Sequence, residues 1–370
     1  MEPSFSVLIP DGESAFALLV LHCFAHFPNV KVHVLSKNRW SPARFSRYQC
    51  GYVFRHSREG GSMLDAVMDV ARRERIDVLL PVDTNAISFA IANRETLSTS
   101  MKIVPLPDRE SFEIVNNKWS LAQYLEKTQM PGPQTVLVDY GDQFEERLRN
   151  MRFPVLLKPT GSAGGIGILR FDNLPKLKEY LERLGPEKSQ GRFIVQSFLA
   201  GKDITLNVLS RNGELLAATF QKGLIPNTLP FAPMGAVEFV KDDGFLRMVQ
   251  KLVSGLGWNG WACLDSIYES DGNLRITDMN ARFWNSLLGS LEAGVSFPYL
   301  ACLVAFGVEF PMPDFETIRY FHPMTFFKEK LLDFYGKGRE RDITFKESGL
   351  RFLATDPLAE AIRIYYNRTR

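Results

Sequence analysis

Short apolar runs alternate with amphipathic stretches over the first third of the chain. FSVLIP (5–10) reads as a buried strand, Asp11-Gly12 as a turn, and the apolar-periodic stretch after it as a helix reaching to about residue 27. KVHVLS (31–36), IDVLLPVD (76–83) and MKIVPLP (101–107) are three more strand candidates, the latter two each preceded by a helix-like stretch, of which the charged one covers 63–75. Strands alternating with helices predict βαβ units, and hence a parallel sheet covered by helices, over residues 1–112. No GxGxxG follows the first strand, so the pattern predicts no independent dinucleotide site there.

From residue 113 the rhythm changes. NNKWSLAQYL opens a helix that leads to the turn Pro131-Gly132-Pro133. FPVLLKP (153–159) and ILRF (168–171) are strands around a glycine-rich loop, and 174–184 is an amphipathic helix; together 113–195 form a small α+β unit. RFIVQSFL (192–199) and DITLNVLS (203–210) are strands joined at Ala200-Gly201-Lys202, and the antiparallel rhythm after them marks a larger α+β unit over 196–310. Residues 311–370 mix aromatic and charged positions and are read as a C-terminal extension.

Composition narrows the class of partner. The 370 residues are 45% hydrophobic and 23% charged, with 44 basic against 42 acidic side chains, so neither disorder nor a polyanionic partner is favoured and a small molecule is. The four cysteines (Cys23, Cys50, Cys263, Cys302) lie far apart and read as reduced thiols. The acidic N-terminus does not resemble a secretory signal, and the longest apolar stretch, 15–27, is interrupted by His22 and His26, so a cytoplasmic location is expected. Those two histidines, with His33, read as core or helix-surface residues, and Trp258, Trp261 and Trp284 as packing.

Two stretches carry chemistry. In WACLDSIYESDGNLRITDMNARFW (261–284), Asp271-Gly272 between alternating runs predicts a two-residue hairpin turn. Opposed residues then place Asp265 across from Asp278, with Asn280 on the same face. Two carboxylates and an amide oxygen suit a hard cation such as Mg²⁺. A solvated acidic hairpin is equally consistent with these residues taken alone. In PVLLKPTGSAGGIGI (154–168), Lys158 ends an apolar strand and glycines follow at 161, 164, 165 and 167, a composition that lets backbone N–H groups cradle phosphate oxygens. The lysine precedes the loop, so this is not a Walker A motif, and a flexible hairpin loop is the plain alternative.

Taken in order, Lys118 in NNKWSLAQYL, Lys158 with its glycine loop, VQSFLAGKDI (195–204), DMNARFW (278–284) and LEAGVSFPYLACLVAFG (291–307) resemble the ATP-grasp superfamily. The layout is most similar to its carbamoyl-phosphate-synthase-like and carboxylate–amine ligase members. The resemblance covers about residues 5–310 and implies an N-terminal parallel-sheet pre-ATP-grasp domain followed by two α+β subdomains that clasp ATP. It implies Lys118 and Lys158 as phosphate-binding lysines and Ser162, Ala163, Gly164 and Gly165 as the closing loop. Gln196, Phe198 and Leu199 would form the adenine hinge, and Asp203 would hold the ribose. Asp265, Asp278 and Asn280 would bind Mg²⁺ or Mn²⁺; Arg282 would reach the transferred phosphoryl group, and Lys222 would face it from an opposite strand. The chain departs from the family at Asp203 and Asp278, where glutamate is usual, at Ala281, where proline is usual, and in a hinge without its customary acid.

The implied reaction is amide or peptide bond formation through an acyl-phosphate, releasing ADP and phosphate, with a small carboxylate and an amine as substrates and neither nucleic acid nor membrane as partner. A bicarbonate-activating reaction of the carboxylase or carbamoyl-phosphate type is the near alternative, although no AMKM carrier segment is present, and a non-catalytic nucleotide-binding module is the distant one. The apolar segment GLIPNTLPFAPMG (223–235), through Leu224 and Phe231, is expected to favour a substrate with apolar surface. A homodimer through the N-terminal domain or the aromatic extension is a further expectation.

Overall fold

Three sheets organise the chain in the computed structural model, which describes residues 3–55, 61–140, 144–335 and 342–368. The first holds β1 (Phe5–Ile9), β2 (Val30–Ser36), β3 (Gly51–Phe54), β4 (Val78–Leu79) and β5 (Lys102–Ile103), all parallel, in the order β3-β2-β1-β4-β5. Every residue of β1 is buried, as expected of a central strand covered on both faces, and its sequence is apolar apart from Ser6, whose hydroxyl donates to the Arg75 carbonyl at 2.7 Å and to Asp77 Oδ2 at 2.8 Å. The edge strand β3 is absent from the sequence expectations because three of its residues are half-buried, Phe54 is exposed and the four carry no clear alternation. The helix expected over 63–75 is Met63–Glu74, opened by a capping box between Ser62 and Asp65.

The second sheet is antiparallel, with β6 (Thr135–Leu137), β7 (Val155–Pro159), β8 (Leu169–Phe171) and β9 (Phe193–Ser197) in the order β6-β9-β7-β8. Val155, Leu157 and Val195 pack with Leu177 and Leu181 of the helix Leu174–Leu184 into a core of its own. The third sheet orders β10 (Gly201–Arg211), β11 (Glu214–Ile225), β12 (Ala236–Phe239), β13 (Gly260–Glu269), β14 (Leu274–Asn280) and β15 (Arg319–Phe321) as β14-β13-β10-β11-β12-β15. Most of its apolar residues and those of the first sheet belong to one continuous cluster, which includes the buried helix Phe297–Ala305, while Ile225, Ala236 and Phe321 at its far edge form a smaller one. The N-terminal domain and the large sheet therefore share a core, whereas the small sheet stands on a separate one.

One local expectation is corrected. Gly201 and Lys202 are not a turn but the first residues of β10, paired with Glu269 and Tyr268. A Cβ on Gly201 would overlap the Tyr268 carbonyl, so glycine is what lets the two strands meet there. The extension 311–370 contributes β15, which pairs with β12, and the helix Pro357–Arg368, whose Glu360 lies 3.4 Å from buried His22. His22 is thus a core residue. Among the described residues no helix is long and apolar enough to cross a membrane.

Candidate functional site

The acid pair sits on β13 and β14. Asp265 pairs with Asp278, and Cys263 with Asn280, so Asp265, Asp278 and Asn280 share one face. The route to that register differs from the expected one. Beyond Asp265 the pairing runs Ser266 with Ile276 and Tyr268 with Leu274, which closes on a longer turn than two residues. A bulge between Asp265 and Ser266 leaves Thr277 as the extra residue and restores the register at the acids. In an unbroken ladder Asp265 would have faced Thr277 and the second carboxylate would have pointed to the other side.

Two lysines converge on this face. Lys118 starts the helix Lys118–Lys127, whose cap is Asn117, and its Nζ donates to Asp278 Oδ2 at 2.7 Å and to the Ser162 carbonyl at 2.6 Å. Lys158, 6% exposed at the end of β7, donates to Gln196 Oε1 at 2.6 Å. Burial holds the Lys158 ammonium down to about 8, opposed by Asp278 and assisted by Lys118. Asp265 opens onto solvent but is closely surrounded by protein; desolvation and the neighbouring Asp278 push its carboxyl up to about 6.

The glycine loop reaches over these groups. Gly164, Gly165 and Gly167 have φ of 67°, 80° and 77°, a conformation that side chains disfavour. A Cβ on Gly165 would overlap the backbone carbonyl of Phe231, which lies in the connection from β11 to β12. Phe231 itself has φ of 60°, unusual for a bulky residue. Leu224 instead packs beside Ile225, Ala236 and Phe321, away from that contact.

The remaining expected residues fall as follows. Gln196 is buried and bonded through its two ends to Lys158 and to Thr135. The Phe198 N–H is already committed to the Pro154 carbonyl at 3.0 Å, which leaves its carbonyl for a hinge contact, with Leu199 beside it. Asp203 pairs with Ile267 and so shares the Asp265 face; desolvation raises its carboxyl above the ordinary value. Lys222 pairs with Ile204, which pairs with Ser266, so it stands on the opposite face from Asp265 and is 3.6 Å from Glu238. Strand alternation within FQKGL was the available signal for that placement. Arg282 donates to Asn280 Oδ1 at 3.1 Å and to the Phe283 carbonyl at 2.9 Å, and Asn280 donates to Asp265 Oδ2 at 3.1 Å. Trp261 stacks on Phe283, and Trp258 and Trp284 are buried, in line with packing roles.

The donor set suits a hard cation. Among the described residues no cluster of three or more His, Cys, Asp or Glu is placed to hold a metal, so a metal here would rest on two carboxylates, the Asn280 amide and oxygens brought by a ligand. Asp278 already takes a cation, the Lys118 ammonium, and the repulsion that raises Asp265 is what a divalent ion relieves.

Residues 115–286 match the family model of the ATP-grasp domain. The middle of the chain is thus similar to the ATP-grasp domain, as its motifs suggested. The carbamoyl phosphate synthase large chain of Clostridium botulinum is 23% identical over 191 residues, covering 50% of this chain and 17% of that protein. The D-alanine–D-alanine ligase of Actinobacillus succinogenes is 24% identical over 138 residues, 34% of this chain and 43% of the ligase. The chain therefore spans less than half the length of either relative. Among solved structures, the biotin carboxylase domain of the Hydrogenobacter thermophilus 2-oxoglutarate carboxylase superposes with a TM-score of 0.67 at 15% identity, covering 86% of this chain and 73% of that one. The likeness establishes a shared fold.

Proposed function

We propose that the chain is an ADP-forming carboxylate–amine ligase that uses ATP and Mg²⁺. The observation that carries this reading is the convergence of Asp265, Asp278, Lys118 and Lys158 beneath a glycine loop, within the segment that matches the ATP-grasp domain. Asp265, Asp278 and Asn280 hold the metal, which supplies charge neutralisation at the phosphoryl oxygens when bound. Lys118 leaves Asp278 for the phosphates and Lys158 joins it, so both ammonium groups exchange internal partners for the nucleotide. A carboxylate oxygen of the substrate attacks the γ-phosphorus as its bond to the β-phosphate oxygen breaks, giving an acyl-phosphate and ADP. The amine nitrogen then forms the C–N bond, phosphate departs with the former carboxylate oxygen, and the amine proton passes to solvent. Arg282 steadies the transferred phosphoryl group. The glycine loop, resting on Phe231, excludes water that would hydrolyse the intermediate.

Leu229 and Phe231 are exposed on the connection facing this loop, which supports a substrate with apolar surface. Phe231→Ser is expected to raise the substrate KM several-fold with little change in kcat; an unchanged KM would remove Phe231 from the substrate site. Free, unpaired cysteines and dependence on the ATP pool are in keeping with a cytoplasmic enzyme.

Bicarbonate activation has one observation in its favour, the likeness to a carboxylase domain whose structure holds MgADP and bicarbonate. Steady-state ADP release separates the readings. Stimulation by particular carboxylic acids supports the ligase, stimulation by bicarbonate alone supports the alternative, and nucleotide binding without turnover supports the non-catalytic module.

A further inference from the structure

The N-terminal domain meets the candidate site at a well-braced place. The strand order of the parallel sheet reverses between β1 and β4, and the loops leaving these two strands are tied together. Asp11 accepts from the Val82 and Asp83 N–H groups at 3.1 and 2.9 Å, Ser14 Oγ donates to Asp83 Oδ2 at 3.1 Å, and the Phe16 N–H donates to Ser14 Oγ at 3.2 Å. Burial keeps Asp11 inside this frame, so the frame is part of the core rather than a loose surface turn. Onto it docks the segment that follows β14. The Phe283 N–H reaches the Val82 carbonyl at 3.4 Å, and the Arg282 guanidinium carbon stands 5.1 Å from the centre of the Phe16 ring.

From this arrangement we infer that Phe16 is a positioning residue for Arg282, so that the N-terminal domain sets the geometry of phosphoryl transfer in the ATP-grasp domain. The inference rests on the role proposed above for Arg282. Two of the five guanidinium N–H groups are spent on Asn280 and Phe283, and the side chain is part-exposed. A planar cation with free donors needs a surface to fix its plane, and an aromatic face does so while attracting the charge. An aliphatic side chain fills the same space without that attraction. Phe16 is 8% exposed and sits at the start of the helix Ala17–Phe24, so its ring is held by backbone that moves with the parallel sheet.

The test compares the affinity of the full chain for MgADP with that for MgADP plus aluminium fluoride, a mimic of the transferring phosphoryl group, by titration calorimetry. Phe16→Leu is expected to weaken the aluminium fluoride complex about 3- to 30-fold while MgADP alone binds within twofold of the unmodified protein. Phe16→Tyr is expected to restore the lost affinity, and Phe16→Met serves as a second aliphatic replacement where Leu impairs folding, as judged by thermal unfolding. Arg282→Lys separates this inference from the reading beneath it. If Arg282→Lys weakens the complex and Phe16→Leu and Phe16→Met do not, the positioning role is overturned and the site reading stands. If Tyr restores nothing, the ring matters through volume and the inference also fails. If the unmodified protein binds neither complex, both fall together.

Discussion

The two walls of the candidate site are built to different standards of rigidity. The acids stand on the large sheet, whose core is continuous with that of the N-terminal domain, and their register is pinned by a bulge. Lys158 and the glycine loop stand on the small sheet, which has its own core, and the loop exposes Ile166 to 74% and touches the opposite wall through Gly165. A shared core resists relative motion, whereas separately cored units joined by a cleft move as bodies. The contrast teaches that the acidic wall is fixed and the glycine-loop wall is the part free to move, which suits the proposed reaction, one that must admit substrates and then exclude water.

The largest expected effect tests the fixed wall. Asp278→Ala should lower ATP turnover by about a thousandfold while leaving the thermal unfolding temperature within a few degrees, because the carboxylate serves the ligand more than the core. Turnover near the unmodified rate would remove the metal assignment. Next comes the lysine at the base of the moving wall. Lys158 titrates near 8, so it is charged below that pH and neutral above it, and MgADP affinity should fall as pH rises from 7 to 9. Lys158→Arg, which stays charged, should flatten that profile; an unchanged slope would show that another group titrates.

Gly165→Ala probes the contact between the walls. The added methyl meets the Phe231 backbone and the residue must hold a φ of 80°, so kcat should drop about 10- to 50-fold, a larger effect than the roughly 1 kcal/mol expected in unfolding. Retained kcat would show that the loop closes elsewhere. The smallest effect concerns the helix that aims Lys118. Asn117 accepts from the Trp119 and Ser120 N–H groups, and Asn117→Ala should cost about 1 kcal/mol in urea unfolding. A loss of MgADP affinity beyond threefold would reveal that the cap also fixes the lysine.

Much of this arrangement is legible in the sequence because it is local. The alternation of 261–280 around Asp271-Gly272 points to the pairing of Asp265 with Asp278, although through a two-residue turn that does not form, and the helix over 174–184 coincides with its observed span. The pairing is nevertheless reached by a longer turn and a compensating bulge, which no alternation rule distinguishes from a tight turn. Lys222 shows the reverse case, where motif resemblance points to the site and strand parity puts the side chain on the other face. The contacts that join domains, Phe16 with Arg282 and Gly165 with Phe231, lie far apart in the chain and depend on how the sheets stack, which periodicity does not encode. The parallel strands β4 and β5 fall inside the apolar runs 76–83 and 101–107, but only two residues of each run pair, a length set by neighbouring strands and not by the runs themselves.

Hydroxamate formation tests the central claim most directly. Hydroxylamine replaces the amine and intercepts an acyl-phosphate, so the protein is incubated with Mg-ATP and a panel of carboxylic acids that includes the amino acids. The expected result is hydroxamate from at least one acid, dependent on Mg-ATP and lost in Asp278→Ala. Absence of hydroxamate across the panel, in protein that binds Mg-ATP and releases ADP with bicarbonate alone, would contradict carboxylate activation.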